Sequence, residues 1–435
     1  MVKKKIALIG LQCGDEGKGV RIAHYARKAL SKSDMASSDG FPVLVQRWQG
    51  GANAGHTIVI DGEKFKLHQI PSGIFFPKTY NLLGEGVLFN PKTGMEEIQE
   101  LQNRGVEISP KNFGIASNAH VTLQYHVDDD LPDLKKENHV STGSGIRQTA
   151  VDKYGRIGLR FEEFLNRDTF IRILKEKRFS EIMPTSFGSI EQFVDSYAEA
   201  MKFLALFSVL QSDMLRRHGT HYWIGEGAQG FRLDIDKGLY PGVTSSNPSI
   251  VPFRADLILG VIKLYESSVG HDRPFVSQMD PRLEEILREK FGERGTTTGK
   301  PRDLGWLDAV YIKHAIESAD VDYLIGTCGD RLNCLAQMGE KIKIVTGYNI
   351  NGQVYNRWDK SFHNRDVLYD ANPIFEEYEP WDKFVDENGK LTPNAQKYID
   401  RIQELLGREF ILFGTGEGEK DVVELKDAFE LASVN

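Results

Sequence analysis

The stretch that most limits what this chain can fold into is "IALIGLQCGDEGKGV", Ile6 to Val20, an apolar run that turns through glycines onto a lysine. "KKIALIG" is β-prone and "VRIAHYARKAL" beyond the glycines has helical character, so the reading is strand, loop, helix. An anion-binding loop needs that arrangement, because a helix amino end presents free N–H groups and positive dipole. In the common triphosphate-binding pattern GxxxxGK[ST], backbone amides cradle phosphates, the lysine reaches them and a hydroxyl holds magnesium. The register here departs twice: counting back from Gly17-Lys18 puts Gln12 where the first glycine belongs, and Gly19 replaces the hydroxyl residue. A metal would need another ligand. Asp15 is the nearest, and a carboxylate in an amide-rich loop can bind magnesium or accept a proton from a substrate. A strand, a turn and a helix start with no chemistry would look the same, so the neighbouring stretches must decide.

At 435 residues the chain can bury a large core, with 40% hydrophobic and 27% charged residues, a globular balance. The net charge of −8 comes with no long basic block and no repeated aromatic-basic pattern, which argues against a nucleic-acid platform. "FLALFSVL", around Phe203 to Leu210, is the longest apolar stretch and far too short to span a bilayer. "MVKKKIALIG" runs into glycines with no cleavage pattern, and Cys13, Cys328 and Cys334 show no metal-ligand spacing, so a reducing cytoplasm is the expected location.

Strands are predicted at "PVLVQRW", "HTIVI", "KFKLHQI" after an Asp61-Gly62 hairpin turn, "HYWIGEG", "DYLIGT", "KIKIVTG" and "EFILFGTG". Helices are predicted from Val251 and at "PRLEEILREKFG", "LDAVYIKHAIES" and "AQKYIDRIQELLG". A long helix is expected to carry Phe193, Tyr197, Met201, Leu204 and Phe207 on one core-facing stripe. The charge run Val127 to Asn138 reads as a solvated loop, and Ser31 to Gly40 as a surface insertion. Alternation of strands and helices indicates an α/β protein with a mostly parallel central sheet flanked by helices. No repeat or low-complexity linker divides it, so residues 1–435 are expected to form a single domain with inserted helical and loop subregions.

Four further glycine-bearing stretches carry polar residues. In "QGGANAGHTIVI", small residues allow close backbone approach while Asn53 offers a donor and His56 a group that gives or takes a proton near neutrality. In "STGSGIRQTAVDKYGRIGLR", Thr142 and Gly143 resemble a phosphate nest, and Arg156 is either a separate anion ligand or a surface ion-pair partner. In "GEGAQGFRLDIDKGLYPGVTSSNP", Gln229 can hydrogen-bond a base or amide and Thr244 a phosphate, with ordinary turn chemistry as the alternative. In "RGTTTGKPRDLGWLD", Thr296, Thr297 and Thr298 crowd with Lys300 and Arg302, a set of hydroxyls and cations that suits a dicarboxylate.

Taken in order, "GDEGKG", "NAGHT", "EGAQG", "LDID" with "YPGVTSSN", and "TTG" with "GWLD" resemble the adenylosuccinate synthetase family, from the first strand to "LFGTG". The resemblance implies a fold like that of P-loop nucleotide hydrolases and a ligase joining IMP to L-aspartate with GTP hydrolysis in purine biosynthesis. It implies Asp15 as the base on the purine, His56 as the acid and Lys18 on the transferring phosphate. Asn53, Thr142, Gln229 and Thr244 would hold the monophosphate, with Arg156 reaching it from the partner subunit of a homodimer. Thr296 to Thr298, Lys300 and Arg302 would hold aspartate. Gly14, Glu16, Gly17, Lys18, Gly19, Thr57, Arg302, Asp330, Gly414 and Gly416 would hold the triphosphate, and Asp15 with the carbonyl of Gly55 would hold magnesium.

Three departures bear on substrate choice. "STGSGIRQTA" stands where the family writes "TTGRGIGPAY", losing an arginine and a proline and gaining Arg147; Lys300, followed by Pro301, stands where the family has the arginine that touches both aspartate and ribose, while Arg302 keeps its place; and "TCGD", Thr327 to Asp330, replaces the guanine-binding "TKLD", with Cys328 for lysine. A lysine cannot reproduce a bidentate arginine fork. ATP or dATP therefore becomes an alternative donor, and GMP or dGMP an alternative acceptor, as in a related phage branch. That branch is associated with loss of the aspartate kept here as Asp15, which favours IMP. A nucleotide-dependent switch ATPase on the same kind of fold is a third reading, although it has no need of the threonine-rich loop.

Overall fold

The computed structural model describes residues 3–33, 40–134, 141–176, 187–216, 220–269, 274–295 and 299–433. The chain is α/β, with a large, mostly parallel central sheet flanked by helices. It divides into two compact units, one holding residues 22–58 and 65–228 and the other residues 5–21, 59–64 and 229–435.

In the first unit, strand Tyr222–Gly230 pairs with Val43–Arg47, followed in space by Thr79–Leu83, Phe113–Ala116 and Ser208–Val209, every pairing parallel. Val43 to Arg47 is buried along its whole length, as strands covered on both faces must be. In the second unit, Lys4–Gly10, Leu257–Lys263, Tyr323–Thr327 and Phe410–Gly414 lie in that order, parallel throughout, and Val422–Glu424 closes the edge antiparallel. Ile6 to Ile9 are fully buried, so the strand that feeds the glycine loop is a core strand and holds the loop at its carboxyl end. Helix Lys18–Lys32 follows that loop as predicted.

Local chemistry sets the other helix limits. Helix Pro281–Phe291 starts with Asp280 accepting from the amides of Arg282 and Leu283, has proline in its first turn, and ends on Gly292 at φ 62°. Asp308 caps helix Ala309–Ser318 through the amide of Tyr311, and Gly407 ends helix Pro393–Leu406. Asp61 and Gly62 make the predicted turn, both at positive φ.

Three expectations are corrected. The helix expected from Val251 is coil and then strand Leu257–Lys263, because this apolar run with β-branched Ile258, Val261 and Ile262 lies between two parallel neighbours. The long helix after Ser189 is broken into Ile190–Asp195, Ala198–Leu204, a short 3-10 turn, strand Ser208–Val209 and helix Gln211–Arg216. Its apolar stripe is nonetheless core, from Phe193 at 0% exposure to Met201 at 8%. The charge run is helical over Gln124–Leu134, since Asp130 turns inward and accepts from the amide of Gly145 at 3.1 Å. The predicted strand "KIKIVTG" is present within Ile342–Ile350, in a separate sheet, antiparallel to Asn372–Tyr378 and Gln353–Tyr355. Most of the Ser31 to Gly40 insertion lies outside the described residues.

Candidate active site

The glycine loop of the second unit is shaped by backbone strain and by a buried carboxylate. Gly14, Asp15 and Gly17 all have positive φ, at 90°, 63° and 83°. For Asp15 that is an uncommon conformation, of the kind that clusters at functional sites. Glu16 is fully buried; its Oε1 accepts from the amides of Gln12 and Gly14 at 3.1 and 2.8 Å, and its Oε2 takes the Lys18 ammonium at 2.5 Å. A carboxylate thus collects two amides and a lysine inside the loop, donors of the kind that bind phosphate. Gln12, read as a misplaced glycine, fixes the loop to the neighbouring strand. Its amide donates to the carbonyls of Lys263 and Tyr265 at 3.2 and 3.0 Å and accepts from the Lys263 amide at 2.8 Å. Thr327 Oγ1 donates to the Glu16 carbonyl at 2.9 Å. Gly19 lies in the first turn of the following helix.

Gln229-Gly230 packs against the same loop. A Cβ on Gly230 would lie 2.3 Å from the Gln12 carbonyl oxygen and 2.6 Å from Glu16 Oε1, so only glycine fits. Gln229 is at φ 55°, its Cα 3.5 Å from where a Cβ on Gly14 would stand. Both polar atoms of its side-chain amide are buried with no partner among the described residues. Buried polar groups normally have partners, and an amide left this way beside a phosphate-type loop is a candidate ligand position. Thr244 is held nearby in sequence by its amide donating to the Leu233 carbonyl at 2.7 Å.

Arg302 reaches this loop from the threonine-rich segment. One terminal nitrogen, Nη2, contacts the Asp15 carboxylate, and Nη1 donates to Glu293 Oε2 at 2.6 Å. Burial, with Arg331 close by, pushes the Arg302 guanidinium down to about 10. Lys300 lies on the same loop, whereas Thr296, Thr297 and Thr298 fall outside the described residues. Asp330 precedes a short 3-10 turn, and burial raises its carboxyl above the ordinary range against the pull of Arg331. Gly414 ends its strand beside the Arg21 guanidinium, which donates to the carbonyls of Gly418 and Asp421 at 2.9 and 3.3 Å; a Cβ on Gly416 would meet Asp421 at 2.7 Å.

In the first unit, Gly51 to Thr57 forms the second glycine stretch. A Cβ on Gly51 would stand 2.3 Å from the Leu88 carbonyl oxygen, which explains the tight backbone there. Asn53 and Gly55 follow in the turn, with the Ala54 carbonyl 3.0 Å from His68 Nδ1. His56 opens strand His56–Ile60, and Thr57 is the next residue in it. His56 Nδ1 lies 3.5 Å from Glu226 Oε1, and Glu226, fully buried, accepts from the amide and hydroxyl of Ser72 at 2.8 and 2.7 Å. Thr142 Oγ1 donates to Ser144, the Gly143 amide to Ser141, and helix Ile146–Tyr154 begins after Gly145 at φ 73°. Arg147 is 3.9 Å from Asp130. Arg156 is exposed beyond that helix, at φ 61°.

Asp15, Glu16, Lys18, Gln229 and Arg302 are therefore brought together around one loop of the second unit, and Asn53, Gly55, His56 and Thr57 share a turn and strand start of the first. Sequence reasoning missed Gln12, Glu226, Glu293 and Lys263 as parts of these clusters. Glu226 had a signal, its place between glycines three residues before Gln229; Glu293 and Lys263 had none. For a magnesium ion, Asp15 supplies a hard oxygen on a side chain 30% exposed. Among the described residues no group of three or more His, Cys, Asp or Glu could hold a metal, so an ion at Asp15 would complete its shell from phosphate, carbonyl and water oxygens, as magnesium commonly does.

The family profile described as adenylosuccinate synthetase matches residues 7–423. Adenylosuccinate synthetase of Lysinibacillus sphaericus is 34% identical over 98% of this chain and 99% of its own, and that of Caldanaerobacter subterraneus 35% identical over 97% and 99%. A fully ligated adenylosuccinate synthetase from Plasmodium falciparum superposes with a TM-score of 0.84 at 25% identity, covering 97% of this chain and 100% of that one. The succinoaminodeoxyadenylate synthetase of cyanophage S-2L, solved with dGMP and dATP, has a TM-score of 0.59 at 18% identity, over 100% of this chain and 99% of that one, and shares the fold. With the profile spanning the glycine loop, the histidine turn and the Arg302 segment alike, the chain belongs to the adenylosuccinate synthetase family, ligases that form carbon–nitrogen bonds.

Proposed function

We propose that the protein joins IMP and L-aspartate into adenylosuccinate at the expense of a nucleoside triphosphate. The observation that carries this reading is the buried, unpartnered amide of Gln229 against the strained Asp15 loop, a pairing that a purine nucleotide beside a triphosphate would complete. Asp15 takes the purine ring proton and His56 hydrogen-bonds the ring carbonyl oxygen. That oxygen attacks the γ-phosphorus as the bond to the β,γ-bridging oxygen breaks, while Lys18 neutralises charge on the phosphates. The aspartate amine then attacks the ring carbon and phosphate leaves, a far better leaving group than hydroxide. Magnesium, held by Asp15 and the Gly55 carbonyl, would supply further charge neutralisation. Asn53, Thr142 and Thr244 are assigned to the monophosphate with Gln229, and Arg156 to the monophosphate of a partner subunit in a homodimer. Thr57, Asp330, Gly414 and Gly416 are assigned to the triphosphate. The whole chain is taken as one functional domain working in the cytoplasm.

A second reading keeps the chemistry and changes the substrates. Cys328, at φ 61°, stands where the family has the lysine of its guanine-binding motif, which favours ATP or dATP as donor and keeps GMP or dGMP open as acceptor. Retention of Asp15 favours IMP. A matrix of IMP, GMP and dGMP against GTP, ATP and dATP, with phosphate release measured in the presence and absence of aspartate, tests both. Release is expected to require IMP and aspartate together. Better turnover on dGMP selects the second reading, and triphosphate hydrolysis indifferent to both substrates indicates a switch ATPase.

A further inference from the structure

Glu293 is 1% exposed and gathers more charge than any partner of the site. Its Oε2 accepts from Arg302 Nη1 at 2.6 Å, while its Oε1 receives Lys263 Nζ at 2.7 Å, Arg331 Nη1 at 3.0 Å and the Tyr265 hydroxyl at 2.5 Å. Burial alone would raise this carboxyl; Lys263 and Arg331 hold it below the ordinary range, so it stays charged. The main chain repeats the pairing. The Arg302 amide donates to the Glu293 carbonyl at 3.1 Å, Arg294 bridges Pro301, and the Gly295 amide donates to the Lys300 carbonyl at 2.8 Å. Glu293 and Arg302 thus face each other across the neck of a short loop, joined by backbone and by side chain. A guanidinium gripped at one nitrogen has its second nitrogen fixed in direction. In this structure that second nitrogen meets a carboxylate, Asp15.

We propose that Glu293 is a positioning residue for the amino-acid substrate, holding Arg302 so that its outer guanidinium nitrogen is presented to a substrate carboxylate. This rests on the reading of aspartate as substrate and Arg302 as its ligand. The carboxylate of Asp15 has the same chemistry as the one expected from aspartate, and the Lys263, Arg331 and Tyr265 contacts keep Glu293 from swinging out of the neck.

Steady-state kinetics with the full-length protein test it, with IMP and triphosphate held saturating. Glu293→Gln keeps an acceptor but loses the charge; it is expected to raise the aspartate KM roughly tenfold to hundredfold, as loss of a charge-assisted hydrogen bond implies, with the IMP KM within about twofold. In an Arg302→Lys background the same change is expected to add little, because both act through one guanidinium. An unchanged aspartate KM, equal rises in all three KM values, or full additivity in the double variant overturns the proposal. Should the glutamine variant not fold, Glu293→Asp retains the charge needed by Lys263 and Arg331 but withdraws the carboxylate by one methylene. The same selective rise is expected, and its absence counts equally against the role. A wild-type protein that needs no aspartate, or an Arg302→Lys variant with normal aspartate KM, would instead remove the functional reading beneath it.

Discussion

Asp15 and Glu16 are adjacent carboxylates with opposite environments. Glu16 is sealed among amides and Lys18, whereas Asp15 projects from a left-handed turn, partly exposed, with Arg302 against it. Of the two, only Asp15 has an exposed side-chain surface. Asp15→Ala and His56→Ala are each expected to lower turnover by roughly a hundredfold to ten-thousandfold, the span of general acid–base catalysis. Circular dichroism should show the fold intact, and near-normal turnover in either variant would contradict the assignment. Gln229→Ala removes the unpartnered amide and is expected to raise the KM for the purine monophosphate while leaving that for the triphosphate nearly unchanged. Residues of this kind were legible because they stand alone between glycines. Glu293 and Lys263 were not: a charged residue at a helix exit or inside an apolar strand reads as ordinary surface, and their pairing spans 30 positions.

Elements were legible where local chemistry ends them. Asp280-Pro281 and Gly292 bracket a helix with cap, first-turn proline and left-handed stop, so its limits follow from three residues. The run from Leu257 to Lys263 was not legible, because a short apolar segment has no decisive period and its parallel neighbours supply the decision. Asp130 misled for a related reason, since its inward turn is set by the Gly145 amide, 15 positions along the chain and outside its own helix. At the loop itself, Gly230→Ala is expected to be among the most damaging single-methyl changes. With its Cβ 2.3 Å from the Gln12 carbonyl oxygen, the loop must shift, at a cost of about 1–3 kcal/mol. A lowered melting temperature together with weakened triphosphate binding is expected, and a variant indistinguishable from wild type would show that the contact is not tight.

At the scale of the whole molecule, a buried charge cluster joins Arg232 to Glu266 at 3.0 Å and Asp308 at 3.3 Å, with Tyr348 donating to Asp308 and Ser277 to Glu266. Burial, and then repulsion from Asp308, pushes the Glu266 carboxyl up to about 7 against the attraction of Arg232. A carboxyl whose pKa is higher in the folded than in the unfolded chain binds its proton more tightly when folded. Its stabilising contribution is present below the unfolded value and is lost as pH rises through about 7. Glu266→Gln should therefore flatten the fall in melting temperature between the ordinary value of 4.5 and about pH 7, and an unaltered pH slope would assign that fall to other groups. The glycine loop has its own large-scale consequence. Gln12 is secured by Lys263, 251 positions onward, and Glu16 by Thr327, 311 positions onward. In a chain emerging from the ribosome the nucleotide cradle precedes its braces by a long way, Lys263 arriving first and Thr327 later. Competence to bind a triphosphate should thus switch on late in synthesis, and fragments ending before Thr327 should be inert toward nucleotide however well their own strands fold.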